Sequence, residues 1–516
     1  MDDVLDYDNS AYSSYKAIAG VAVPSIVLNA AAPLTGVVQT AFLGYYVGNH
    51  ALGAYGACTI IAGFATRIFN FLVDGVSAKT GKSVGRRAWR ELGARVKHSL
   101  LFAVAMGVLG LSTLMLLKNF LMEGVLNLSG DILDEAYGFW TLRALLVPFL
   151  LLNMSLSGIL QGFRCVKTVA ILNTVQALIE MGGSVFVIMF EIQFQGSRLM
   201  SVGVVSLVSY LLSVVAGCVL IFVMKPPEAG ASFSLWTEMF YPELSASSSY
   251  SSLRDSLIGT DNDDDYDLEE EEEDETLLDF VKDGLNMLIR SLIMQSTFFI
   301  ALVCSTRLGN KYLAAHSIVS QLWLLLSYIV DGFAAAAIVL GSRLGGQAYN
   351  PARAADAKMH LQRLIIRVLS AGLITGVAAA IVFQVKADAI MGLFTRNEKT
   401  LAILKNGTWQ LLSLVQPLNS LVFVYDGLMY ASQSFTFIRN YFLVGFFVVF
   451  MPVIGLQISV WHTLWGVWMA KALFNVWRCL GAAYLIHYVF LAEFDAECLR
   501  RSRSSRSIIN IDESAA

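Results

Sequence analysis

A chain of 516 residues that is 56% hydrophobic and only 15% charged is not an ordinary soluble protein, in which roughly a quarter of residues carry charge. Roughly 20 apolar residues cross a bilayer as a helix, so this length holds about twelve crossings plus their loops. Long apolar runs exclude a barrel, whose strands would be short and alternating. The net charge of −4 hides an uneven distribution: thirteen acids and no base lie between 255 and 275, and the rest of the chain is net basic.

In chain order, the first residues, MDDVLDYDNSAYSSYK, lack the basic n-region and cleavage site of a signal peptide and are too acidic for a transit peptide. Apolar periodicity then predicts spans at 16–46, 53–78, 98–117, 137–161, 168–191 and 199–224, and again at 279–306, 313–342, 361–385, 403–432, 437–459 and 464–490. The expected architecture is an all-α polytopic membrane protein with twelve transmembrane helices in two six-helix lobes. Its parts are an acidic N-terminus (1–15), an N-lobe (16–224), a linker (225–278), a C-lobe (279–490) and a basic tail (491–516). The linker is serine-rich and then acidic, with too little apolar surface to fold, so it is expected to be a disordered spacer or a regulatory docking segment.

Lys79, Lys82, Arg86, Arg87, Arg90 and Arg95 follow the second span, and Arg343, Arg353, Lys358 and Arg363 follow the eighth. The loops around His50 and His462 carry no Lys or Arg. Positive charge stays inside, so the linker and both termini are expected in the cytoplasm, although the loop with Lys386, Arg396, Lys399 and Lys405 runs against that pattern. Sequons at Asn127 and Asn406 fall in outer loops close to the membrane. The six cysteines, Cys58, Cys165, Cys218, Cys304, Cys479 and Cys498, are scattered singly, which is neither a zinc pattern nor a disulfide framework.

The two halves repeat one plan. FNFLVDGVSAKTGKSVG around Asp74 returns as LSYIVDGFAAAAIVLGSRLGG around Asp331, and Pro148 and Gly158 return as Pro417 and Gly427 with the same spacing. Internal duplication of this kind is typical of secondary transporters, which place their sites where the repeats meet.

A charge inside a span costs at least ~2.5–3.5 kcal/mol on insertion scales, so each one is a functional candidate. The carboxylates are Asp74, Glu180, Asp331 and Asp426; the cations are Arg67, Arg143, Arg290 and Arg478, with Lys471 close to them in sequence. Asp426 lies well inside the tenth span, flanked by Asn419, Tyr425 and Gly427, where its repeat counterpart is the neutral Ser157. A buried carboxylate can take and release a proton in a transport cycle. Several arginines favour anionic cargo, because a guanidinium grips a carboxylate in a bidentate fork; pairing with the acids is the structural alternative. No HExxH, P-loop, nucleophile elbow or metal-ligand cluster occurs, so neither an enzyme nor a nucleic-acid-binding protein is expected.

PLTGVVQTAFLG (33–44), LSGILQGFRCVKT (156–168), GLNMLIRSL (284–292), IVDGFAAA (329–336) and QPLNSLVFVYDG (416–427) resemble motifs of the multidrug and toxic compound extrusion (MATE) family. The similarity is to its DNA-damage-inducible-protein-F-like branch, which includes plant citrate effluxers. It covers Pro24 to about Tyr488, and it implies two pseudo-symmetric lobes, a cleft opening alternately to either side, and efflux driven by H⁺ or Na⁺. The family's first-helix acid falls on Gln39, and the fifth-helix Asn and Asp fall on Ile179 and Gly183, so the usual N-lobe ion site is dismantled unless Glu180 replaces it.

The expectation is therefore proton- or sodium-coupled export of an organic anion such as citrate, or of a small amphipathic metabolite. Asp426, Asp331 and Glu180 are the ion-coupling candidates, with Asp426 the lone proton carrier; Gln39, Arg67, Arg290, Asn419 and Tyr425 are the cargo contacts. No cofactor beyond the coupling ion is expected, and the partners are a small-molecule cargo and membrane lipids, with a monomeric chain in the plasma membrane or else a vacuolar or plastid membrane. A lipid-linked flippase, or a non-transporting sensor whose linker recruits partners, is the alternative on the same fold.

Overall fold

The computed structural model describes residues 10–125, 130–230, 233–241, 276–348, 351–395 and 397–492. Among them, 11 helices are long and apolar enough to cross a membrane. They are α1 (Tyr15–Tyr46), α2 (His50–Arg86), α3 (Trp89–Leu116), α4 (Ile132–Gly162), α5 (Val166–Met189) and α6 (Arg198–Val223), then α7 (Leu277–Leu308), α8 (Lys311–Gln347), α9 (Arg353–Val385), α10 (Glu398–Ser432) and α11 (Phe435–Trp461). α12 (Leu464–Tyr484) completes the second set of six; it is less apolar because its buried side holds Lys471, Asn475 and Arg478.

Each lobe is built round one central helix. α4 packs against α2, α3 and α6, and its repeat partner α10 packs against α8, α9 and α12; the apolar windows of both are 67% buried, against 22–33% for most of the others. The duplication reaches individual bonds. Trp140 on α4 donates its indole N–H to the Leu114 carbonyl of α3 (3.0 Å), and Trp409 on α10 donates to the Phe383 carbonyl of α9 (2.8 Å), each across 26 residues of chain. Gly107 lies so close to Pro148 that an added Cβ would stand 2.7 Å from its Cα, and the same distance recurs for Gly376 and Pro417. The same chain separation relates Trp140 to Trp409 and Gly107 to Gly376, so these contacts were copied with the repeat. Trp140→Phe and Trp409→Phe should each lower stability by about 1–3 kcal/mol, because a buried carbonyl loses its donor, and the two losses should add, since the lobes are separate; thermal unfolding in detergent measures both.

Three stretches differ from the sequence reading. The basic segments after the second and eighth spans are helix rather than loop: α2 runs to Arg86, α3 starts at Trp89, and Arg87 in the left-handed region (φ 61°) makes the reversal. The early linker is ordered, because Phe233, Leu235 and Met239 have an apolar surface to bury, and the short helix Leu235–Phe240 docks on α3. The acidic run itself lies outside the described residues, as do Asn127 and most of the basic tail. Asn406 stands exposed where α10 breaks at Asn406 and Gly407.

The lobes meet at the end that carries the basic residues. Every residue from Ala336 to Ala348 of α8 is buried, and so are nearly all from Phe71 to Val84 of α2. Small residues allow this approach: a Cβ on Gly85 would collide with the Arg343 carbonyl oxygen, and one on Gly346 would lie 2.9 Å from the Arg86 amide nitrogen. Polar ties cross the seam. Lys79 pairs with Asp283 of α7 at 2.9 Å, Arg343 of α8 donates to the Gly162 carbonyl at 3.0 Å, and Gln433 donates to the Ala78 carbonyl at 3.1 Å. Arg343 also faces Glu228 at 3.4 Å, and the Tyr12 hydroxyl donates to that same carboxylate at 2.8 Å.

Towards the other end the two repeat helices open. The outer half of α8 exposes Lys311, Ala314, Ser317, Gln321, Leu325 and Ile329, one face at helical spacing. Phe64, Arg67 and Asn70 stand exposed on α2. The result is a cleft closed at the basic end and parted at the opposite end.

Candidate functional site

Two polar clusters lie inside the helices that flank this cleft, one in each lobe, and their chemistry differs. In the C-lobe, Asp426 on α10 accepts from Arg290 of α7 and Arg478 of α12, both Nη2–Oδ2 at 2.5 Å. Arg290 also donates to the Tyr430 hydroxyl at 3.2 Å. From Arg478 a ladder of amides climbs the α10–α12 contact: Arg478 donates to Asn475 (2.8 Å), Asn475 to Asn419 (3.2 Å), and Asn419 approaches Gln416 at 3.5 Å. The three cationic or amide side chains on α12 share a face because Lys471, Asn475 and Arg478 are four and then three residues apart.

In the N-lobe, Glu180 on α5 is 7% exposed and, among the described residues, is met only by neutral donors. Its carboxylate accepts from Ser206 of α6 at 2.6 Å, Gln176 at 2.9 Å and Gln39 of α1 at 3.5 Å. Gln39 in turn donates to Ser184 (2.9 Å) and accepts from Tyr55 (2.7 Å). Arg143 reaches this network only through its outer members, lying over the Tyr55 ring and contacting Thr59 at 3.4 Å. Among the described residues, Glu180 is therefore a buried carboxylate with no guanidinium or ammonium on it.

Between the lobes, Asp74 and Asp331, the repeat-related acids, are half-buried and make no hydrogen bond or ion pair among the described residues. They act on each other and on Arg290 through space.

Asp426 was read as a lone protonatable carboxyl; it is instead bracketed by two guanidiniums, its charge matched twice over, because α7 and α12 both turn an arginine inward. Gln39, expected to touch cargo, is 2% exposed with both ends of its amide engaged inside the N-lobe. Tyr425 faces away from the Asp426 cluster, its hydroxyl 3.2 Å from His487. Asn419 belongs to the amide ladder. Arg67 lies one turn deeper than Phe64 on the cleft-facing side of α2, and its side chain has no polar partner among the described residues. Ile179 is 42% exposed, so Glu180 and not its neighbour points inward. Tyr430, Asn475 and Ser206 were missed; their sequence signal was only a polar residue at helical spacing in an apolar run.

Twelve described helices in two copies of one six-helix plan, with an intramembrane polar cluster in each lobe, describe a polytopic membrane transporter. The chain belongs to the MatE family, whose model matches residues 24–186 and 287–455. It is 24% identical over 483 residues to Protein DETOXIFICATION 45, chloroplastic, of Arabidopsis thaliana, covering 88% of this chain and 75% of that protein. Against DNA damage-inducible protein F of Escherichia coli it is 24% identical over 373 residues, covering 69% and 70%. Its fold matches an outward-facing multidrug resistance MATE family transporter (TM-score 0.71, 14% identity, 95% and 98% covered). A MOP superfamily transporter from Pyrococcus furiosus matches with the same score and coverage. The protein is thus an integral multi-pass efflux transporter and not an enzyme.

Proposed function

We propose that the protein exports an organic anion, with citrate the leading example, in exchange for protons. One observation carries this reading: the C-lobe interior holds Arg290, Arg478 and Lys471, and among the described residues only one carboxylate, Asp426, touches any of them. A guanidinium grips a carboxylate cargo in a bidentate fork, the acids at the seam reach Arg290 only through space, and exposed Arg67 on the facing helix adds a further cation to the route.

The proton-carrying role goes first to Glu180, whose charge no cation among the described residues meets; a proton arriving there neutralises a carboxylate held by hydroxyls and amides. Asp331, at the seam, is the second carrier, and Asp426 serves the two arginines. The closed basic end with a parted opposite end is the release state of an exporter, given that basic residues remain on the cytoplasmic side. The membrane in this reading is the plasma membrane; the chloroplast named for two relatives is the competing address, and fractionation separates the two.

The test is uptake of labelled citrate into proteoliposomes under an imposed pH gradient. Wild-type protein should accumulate citrate only with the gradient, and Glu180→Gln should fall to background while unfolding at the wild-type temperature. Gradient-driven citrate transport at the wild-type rate in Glu180→Gln would reject the assignment of the proton, and no carboxylate transport by the wild type would reject the cargo class.

A further inference from the structure

We infer that Lys471 is a tethered occupant of an aromatic cage and that its presence bars organic cations from the cleft. This inference sharpens the proposed preference for anions and rests on that reading for its place in the cycle.

Lys471 of α12 is 5% exposed, and its ammonium has no hydrogen-bond partner among the described residues. Among the described residues no carboxylate touches it, and the charged neighbour that acts on it is Arg478, of like sign. What surrounds the ammonium is π-surface. Its nitrogen stands 2.8 Å from the ring centre of Phe298, 5.5 Å from that of Trp468 and 5.9 Å from that of Trp323. His316 closes a further side by lying against Trp468, ring centres 5.4 Å apart. Three rings from three helices within about 6 Å of one cation make the arrangement that recognises quaternary ammonium ligands. Here the cation is supplied by the protein.

Of the three rings only Phe298 has open surface, Trp323 and Trp468 being 3% and 2% exposed. Phe298 is half-buried on α7, and its neighbour Phe299 is 57% exposed and meets Phe64 of α2, in the other lobe, at 6.4 Å. A diffusing organic cation that reached these rings would find the place taken and a like charge in it. That is discrimination by an unfavourable element rather than by a new attraction. A carboxylate, in contrast, would meet an ammonium with no other anion to leave.

The experiment uses purified full-length protein in detergent at constant ionic strength, with tetraethylammonium chloride as the probe and tryptophan fluorescence as the readout. Wild type and Lys471→Arg should show no saturable quenching. Lys471→Met and Lys471→Ala should show saturable quenching by the probe, the vacated rings taking the ammonium ion. Both should unfold at or above the wild-type temperature, because a buried unpaired charge has been removed. Loss of folding in both variants would overturn the inference by making the ammonium a structural tie, as would folded variants that ignore the probe. Tetraethylammonium binding by the wild type would overturn it too, whatever the citrate assay returns. Failure of citrate transport alone would sink the cargo assignment and leave the cage result standing.

Discussion

Asp426→Asn is expected to unfold more readily than any other single change in the C-lobe interior. Its carboxylate is the shared acceptor of two guanidiniums whose side chains are 14% and 2% exposed, and it is itself 12% exposed. Asparagine leaves Arg290 and Arg478 buried side by side with no carboxylate in contact among the described residues. Removing one member of a buried ion pair costs about 3–5 kcal/mol, much of it the desolvation of what remains. Thermal unfolding in detergent should show a large drop, and combining Asp426→Asn with Arg478→Met should recover part of it, because the orphaned charge is then removed as well. Transport in Asp426→Asn should be lost together with stability. That separates Asp426 from Glu180, whose amide variant should lose transport and keep its fold. An Asp426→Asn protein as stable as the wild type would show that the triad is not held as described.

The second large effect is steric. Gly85 lies against the backbone of Arg343, with the Arg343 Cα 3.1 Å from where a Cβ would stand and the carbonyl oxygen nearer still. Backbone cannot step aside as a side-chain tip can, so Gly85→Leu forces α2 and α8 apart. Overpacking inside a helix contact typically costs 1–3 kcal/mol, and here the strain is relieved by opening the basic end. Ser342, fully buried on α8, reports this. In a background without other cysteines, Ser342→Cys should resist a membrane-impermeant maleimide applied from the basic side. The same cysteine should become reactive when Gly85→Leu is added, and transport should fall to background because the closed state is no longer reached. Continued protection of Ser342→Cys in the Gly85→Leu protein would mean that the seam tolerates bulk.

Much of this was legible in the sequence, for identifiable reasons. Membrane spans declare themselves because every backbone polar group in lipid must be met within a helix, and the V-D-G and Pro-to-Gly repeats exposed the duplication. The acids and arginines of the interior stood out because charge is rare in apolar runs. Their partners did not. Helical spacing shows which residues of one helix share a face, but the meeting of Arg290, Asp426 and Arg478 depends on three helices far apart in the chain. The same limit hid Ser206 and Gln39 as the company of Glu180. Span ends were misjudged because α2 and α8 continue as helix past the apolar run, with charged residues that pair across the seam instead of facing solvent. The Gly81 to Gly85 spacing was a readable sign of close helix approach, and it was passed over in favour of the charges around it.

The seam has a mechanical consequence. Gly81, Gly85, Ser342 and Gly346 bring smooth backbone to smooth backbone, so few side chains must leave one rotamer well for another when the halves rock. The inner halves of α2 and α8 behave like two bearing surfaces, fastened by a handful of charged rivets such as Lys79 with Asp283. In the exchange cycle proposed above, such bearings place the barrier to rocking in the rivets and leave untouched the packing that keeps each half rigid.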